Sequence, residues 1–108
     1  MMEREVQGCI RPDHPALTGH FPGNPVVPGV VLLTELTAAT EQLLHWTPGP
    51  LELTSVKFMR LLRPNEPFTI LLTERVKGEV SFTILRDQLR IAAGTLRRSE
   101  PRIRQDRS

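Results

Sequence analysis

Apolar residues recur along this chain with two different periods, and the change from one to the other divides it. Leu32, Leu36, Ala39 and Leu43 fall at i, i+4, i+7 and i+11, the stripe of an α-helix of about four or five turns between Gly29 and roughly Trp46. Its first turn, Val30, Val31, Leu32 and Leu33, is apolar on nearly every side, which predicts a deeply buried helix start. Thr47-Pro48-Gly49-Pro50 stops the helix. From Leu53 onward the period becomes two. Val56, Phe58, Arg60 and Leu62 alternate with Ser55, Lys57, Met59 and Leu61. Phe68, Ile70 and Leu72, then Val80, Phe82 and Ile84, then Leu89, Ile91 and Ala93 repeat the pattern, with turns at residues 63–67, 77–78 and 86–88. Ahead of the helix, Val6, Gly8 and Ile10 share one side of a predicted first strand. Strand, long connector, one helix and a four-strand meander predict an α+β domain in which a five-stranded antiparallel sheet wraps a single helix.

Composition narrows the class. At 108 residues the chain has room for one domain with a modest core, which association would help to cover. No apolar run exceeds the four residues 30–33, so no transmembrane helix is expected. The opening Met1-Met2-Glu3-Arg4-Glu5 lacks the apolar stretch of a signal peptide. A lone Cys9 allows no internal disulfide and fits a reducing cytoplasm, where the protein is expected to reside. The formal charge of +2 hides an asymmetry: residues 97–108 carry five arginines against two acids, leaving residues 1–96 at −1. We therefore expect a near-neutral domain over residues 1–97 and a solvated basic tail over residues 98–108. With no tyrosine, one tryptophan and no basic–aromatic interleaving, neither nucleic acid nor membrane is an expected partner.

One stretch reads as chemistry. His20-Phe21-Pro22-Gly23-Asn24-Pro25-Val26-Val27-Pro28-Gly29 leads directly into the helix. Pro22, Pro25 and Pro28 fix φ and remove backbone donors, so the run is neither helix nor central strand. It is a stiff connector holding His20 close to a helix N-terminus. A neutral imidazole, with an unperturbed pKa of about 6.5, suits proton abstraction near neutral pH. The other histidines read as bland: His14 belongs to the connector, and His45 is expected in the last helical turn, where a cation suits the helix dipole. The histidines form no metal-ligand cluster with Cys9 or with paired acids, so no metal is expected. Cys9 has no activating neighbour and reads as a buried or inert thiol. A serine nucleophile elbow and a phosphate-cradling glycine loop are both missing.

The residues from His20 to Val30 resemble the active-site loop of the FabA/FabZ-type β-hydroxyacyl-acyl-carrier-protein dehydratases, and Val56-Lys57-Phe58 with Arg63-Pro64-Asn65-Glu66 resembles that family's lysine–phenylalanine strand and proline turn. The resemblance implies a hotdog fold over residues 1–97, with an antiparallel sheet around one central helix. It implies a 3-hydroxyacyl-thioester dehydratase (a hydro-lyase) whose sites lie across a dimer interface. His20 falls on the catalytic histidine, Gly29 on the glycine whose N–H binds the thioester carbonyl, and Phe21, Val30 and Thr34 on the substrate-binding surface. The substrate would arrive on the phosphopantetheine of acyl carrier protein or CoA, with no other cofactor. The assembly would be a homodimer or higher oligomer, or a heteromer with another hotdog subunit.

One position departs from the family. Its helix carboxylate is replaced by Thr34, and the glutamine four residues on by Ala38. Glu35 follows Thr34, and one helical step turns a side chain by about 100°. Three readings follow: Glu35 is the catalytic acid if the helix starts in a shifted register, another subunit supplies the carboxylate, or the site binds acyl thioesters without dehydrating them. The last would make the chain an accessory acyl-binding subunit, and a thioesterase on the same fold is a further alternative.

Overall fold

The structure, a computed structural model, describes residues 2–17, 26–46, 50–76 and 78–98. His20 and Phe21, with the other residues of 18–25, lie outside the described residues, as does the tail from residue 99. The elements are β1 (Met2–Gly8), a single 3-10 turn (Pro15–Leu17), α1 (Gly29–Leu43), β2 (Leu51–Phe58), β3 (Phe68–Val76), β4 (Glu79–Arg86) and β5 (Leu89–Arg98). The strands form one antiparallel sheet in the order β1-β3-β4-β5-β2. Helix α1 lies on one face, nearest β1 and β3. This is the five-stranded sheet and single helix that the two periods predict.

The core forms where the helical stripe meets the alternating faces. Leu32, Leu36 and Ala39 are buried against Phe68, Ile70, Leu72, Val80, Phe82 and Ile84. Removing each of the leucine, isoleucine, valine and phenylalanine side chains from water stabilises the fold by about 1.5–3 kcal/mol. Thr34, Thr37 and Thr40 each donate a hydroxyl to the carbonyl four residues back, at 3.0, 3.0 and 2.8 Å, so the fully buried hydroxyl of Thr40 is satisfied within its own helix. No described helix is long and apolar enough to cross a membrane.

Four expectations need correction. The helix ends at Leu43, so His45 lies beyond it: its left-handed φ of 57° lets the Trp46 N–H reach the Glu41 carbonyl at 3.0 Å, a Schellman-type stop. The helix start is not buried all round, because Val31 and Leu32 point inward while Val30 is exposed. The alternation in β5 breaks at a bulge. Leu85 pairs with Arg90 and Ile84 with Ala92, leaving Ile91 as the extra residue, so Ile91 and Ala92 are both buried and Leu89 is exposed. Of the two readings of Cys9, buried or inert, the exposure of its side chain removes the first.

A second bulge orients β2. Leu53 pairs with Leu96 but Ser55 with Thr95, and one residue is taken up between them. Leu53, Val56 and Phe58 therefore stand opposite Leu96, Gly94 and Ala92, on the sheet face that carries α1. An unbroken alternation would have sent Leu53 and Val56 to opposite faces.

Candidate active site

The site is built around the first residue of α1. Pro28, extended at φ −63° and ψ 148°, caps the helix without a side-chain hydrogen bond, and its carbonyl accepts from Val31 N–H at 3.0 Å. Proline suits this position because it has no donor to lose and its φ is already set. The N–H groups of Gly29 and Val30 consequently find no acceptor among the described residues. Such orphan donors, with the positive end of the helix dipole behind them, favour an oxygen that is gaining negative charge.

Two contacts hold this helix start in place. Val27 N–H donates to the Leu62 carbonyl at 2.7 Å, tying the connector to the segment that follows β2. The ring of Phe58 closes on Gly29 itself, and a Cβ built there would lie 2.9 Å from Phe58 Cζ. Only glycine lets the ring approach the helix N-terminus so closely. Phe58 stays 47% exposed, as do Val30 at 67% and Leu61 at 64%, so the described surface near these two donors is apolar and open.

Thr34 is exposed one turn above Val30, and its hydroxyl is committed to the Val30 carbonyl. The helix begins at Gly29, in the unshifted register. Glu35 accordingly faces another way. It lines a pocket between α1 and the β1–β3 edge with Val6, Gly8, Ala38, Gln42 and Phe68. The structure thus brings together Gly29, Val30 and Thr34 at the start of α1, with Val30 and Thr34 exposed, while Glu35 turns toward the β1–β3 pocket that Ala38 also lines. His20 and Phe21 lie outside the described residues. Among the described residues no group of three or more His, Cys, Asp or Glu could hold a metal.

Sequence reasoning had not assigned Phe58 or Leu61 to the site. The signal for Phe58 was its place in Lys57-Phe58, but alternation reports only which side of a strand a residue takes. That the ring stops against Gly29 follows from the relative placement of α1 and β2.

Comparison with known proteins gives this geometry a context. A family model described as ApeI-like, ApeI dehydratase, matches residues 2–95. A 3-hydroxyacyl-[acyl-carrier-protein] dehydratase FabZ from Oenococcus oeni is 37% identical over 70 residues, which are 57% of this chain and 50% of the relative. The chain thus spans about half the length of that curated relative. Among solved structures, the dehydratase heterocomplex ApeI:P from Xenorhabdus doucetiae superposes with a TM-score of 0.70 at 25% identity, over 88% of this chain and 85% of the other. The dehydratase domain of PpsC from Mycobacterium tuberculosis, solved with C12:1-CoA, superposes with a TM-score of 0.70 at 20% identity, over 96% of this chain and 41% of that one, and shares the fold.

Proposed function

This chain belongs to the ApeI-like dehydratase family, and we propose that it works on 3-hydroxyacyl thioesters, with His20 abstracting the C2 proton and the Gly29 N–H receiving the thioester carbonyl. The observation that carries this reading is the pair of N–H groups at Gly29 and Val30 that find no acceptor among the described residues, set against the apolar ring of Phe58. As the C2 proton leaves, charge moves to the thioester oxygen, and donors already in place there lower the barrier without reorganising. The double bond forms between C2 and C3 while the C3 hydroxyl departs, taking up a proton to become water. Imidazole and backbone amides account for the proton abstraction at C2 and the polarisation of the carbonyl, while the proton that the departing hydroxyl takes up comes from a separate acid or from solvent. Val30, Phe21 and the exposed surface near Thr34 receive the acyl chain. The phosphopantetheine arm of an acyl carrier protein is the proposed carrier, a reading supported by the name of the Oenococcus oeni relative. The heterocomplex of the Xenorhabdus doucetiae relative supports an assembly of more than one subunit.

Proton removal at C2 can be measured apart from water loss. Incubated in D₂O with a saturated acyl thioester, which has no hydroxyl to expel, the protein should catalyse exchange at C2. His20→Ala should reduce that exchange by about 10²- to 10⁴-fold, the range for loss of a general base. Exchange that is absent in the wild-type chain, or unchanged in His20→Ala, would refute the reading.

A further inference from the structure

Glu35, which the start of α1 does not use, has a setting of its own. The cavity it lines between α1 and the β1–β3 edge measures about 90 Å³, and neither Gly29 nor Phe58 borders it. Its floor is apolar, formed by Val6, Ala39, Phe68 and Ile70. Glu35 and the exposed Gln42 stand two turns apart on its α1 rim, with Ala38 between them. Among the described residues the half-buried Glu35 carboxylate has no hydrogen-bond or ion-pair partner. A carboxylate partly withdrawn from water gains from a cation placed against it, and gains more than a fully solvated one would. On the strand side Gly8 keeps the cavity open. A Cβ there would lie 2.8 Å from the ring of Phe68, so a side chain would have to displace the ring or fill the space.

Size and surroundings limit the occupant. At about 90 Å³ the cavity is well below the roughly 300–1,000 Å³ of a small-molecule site, so it takes the end of one side chain rather than a cofactor or an acyl thioester. A lysine or arginine fits both parts, with its methylenes on the apolar floor and its cation at Glu35. Beside the cavity, β1 pairs with β3 on one side only and leaves its outer row of backbone donors and acceptors open. A strand added along that edge would turn every second side chain towards α1, level with Val6 and Gly8. Glu3 and Glu5 of β1, opposite Thr73 and Leu71, favour a basic strand over a second copy of β1, in which pairing about Glu5 sets like charges opposite each other.

We infer that the cavity receives a lysine or arginine side chain from an extended segment of another protein, which adds to the sheet along the open edge of β1. The backbone of that segment pairs with β1, and its cation pairs with Glu35. Such docking does not depend on the dehydratase reading above.

A peptide probe tests both halves of the contact. An amidated heptapeptide of alternating valine and threonine with one central lysine is titrated into the isotope-labelled full chain, and amide chemical shifts are followed. Shifts should gather at Val6, Gly8, Ala38 and Gln42. Replacing the peptide's lysine by glutamate should abolish them, and methylating its alternate backbone nitrogens should do the same by blocking strand pairing. Glu35→Gln, an exchange between two good helix formers, should weaken binding by about 10-fold or more. Glu41→Gln, which removes an acid of the same helix outside the cavity, should leave binding unchanged.

Equal binding of the lysine and glutamate peptides, or equal binding to the wild type and Glu35→Gln, would overturn the inference. So would shifts confined to β2, a methylated peptide that binds as well as its parent, or no shift at several millimolar peptide. Concentration-dependent shifts at β1 without any peptide would make a second copy of this chain the occupant and overturn it as well. C2 exchange is measured on the peptide-free chain, so the dehydratase reading stands or falls separately.

Discussion

Gly29 and Phe58 meet at the start of the helix so closely that a single methyl group on Gly29 would lie 2.9 Å from the ring of Phe58. Gly29→Ala is therefore expected to move the ring or the first helical turn, and with it the N–H groups of Gly29 and Val30. A displacement of about 1 Å at such a site costs roughly 10²-fold in rate. The C2 exchange assay should show that loss in kcat. Gly29→Ala/Phe58→Leu, which reopens the space, should recover part of it. An unimpaired Gly29→Ala would mean that the amide is not aimed at the substrate.

The bulge in β2 depends on Gly94. A Cβ there would overlap the backbone carbonyl of Ser55, which has no flexible end to yield. Gly94→Ala should destabilise the fold by about 2–4 kcal/mol, in the range of severe single-site changes. Urea unfolding reads this directly, and a shift below about 0.5 kcal/mol would show that β2 can move away from β5.

The core gives a second stability test. Leu36 is almost wholly buried at the centre of the helical stripe. Leu36→Ala should cost about 2–5 kcal/mol, covering both lost burial and the cavity left behind. Val30→Ala, at the exposed side of the same helix, should cost less than about 0.5 kcal/mol in the isolated protomer.

Assembly should depend on that exposed side. At micromolar protein the chain should sediment as more than a protomer, alone or with its partner. Leu61→Lys, which places a charge on the apolar face without entering the core, should shift it towards the protomer and leave the urea midpoint of the protomer unchanged. A wild-type protomer that remains single under all conditions would contradict an interface on β2.

Most of the fold was legible because each element carries its own period. Leu32, Leu36 and Ala39 marked the inner side of α1, and the strands of the β3–β4 hairpin followed their alternation without exception over Phe68, Ile70, Leu72, Val80, Phe82 and Ile84. Alternation failed where a bulge added one residue, at Leu53–Ser55, at Glu74–Val76 and at the Ile84–Leu85 pairing with β5. A bulge depends on the fit of two strands to each other, and neither strand announces it alone.

The candidate site was legible in part. The proline–glycine run pointed to Gly29 as a helix start, and α1 does begin there. Thr34 and Glu35 were equally plausible neighbours of the site in one dimension. Only the packing of α1 against β1 and β3 turned Glu35 into a separate pocket and left Thr34 beside Val30 on open surface.

By itself, then, the sequence determined the order of elements, the stripe and alternation that build the core, and the rigid run ending at Gly29. The tertiary structure alone decided that Phe58 closes on Gly29, that Val30 and Leu61 face outward, and that Glu35 lines the β1–β3 pocket while Thr34 lies exposed. The reason is physical. Periodicity encodes how residues on one element are oriented relative to each other, because it is set by the backbone of that element. What stands opposite them, and whether a second chain must cover them, is set by the placement of elements in space, which no single period contains.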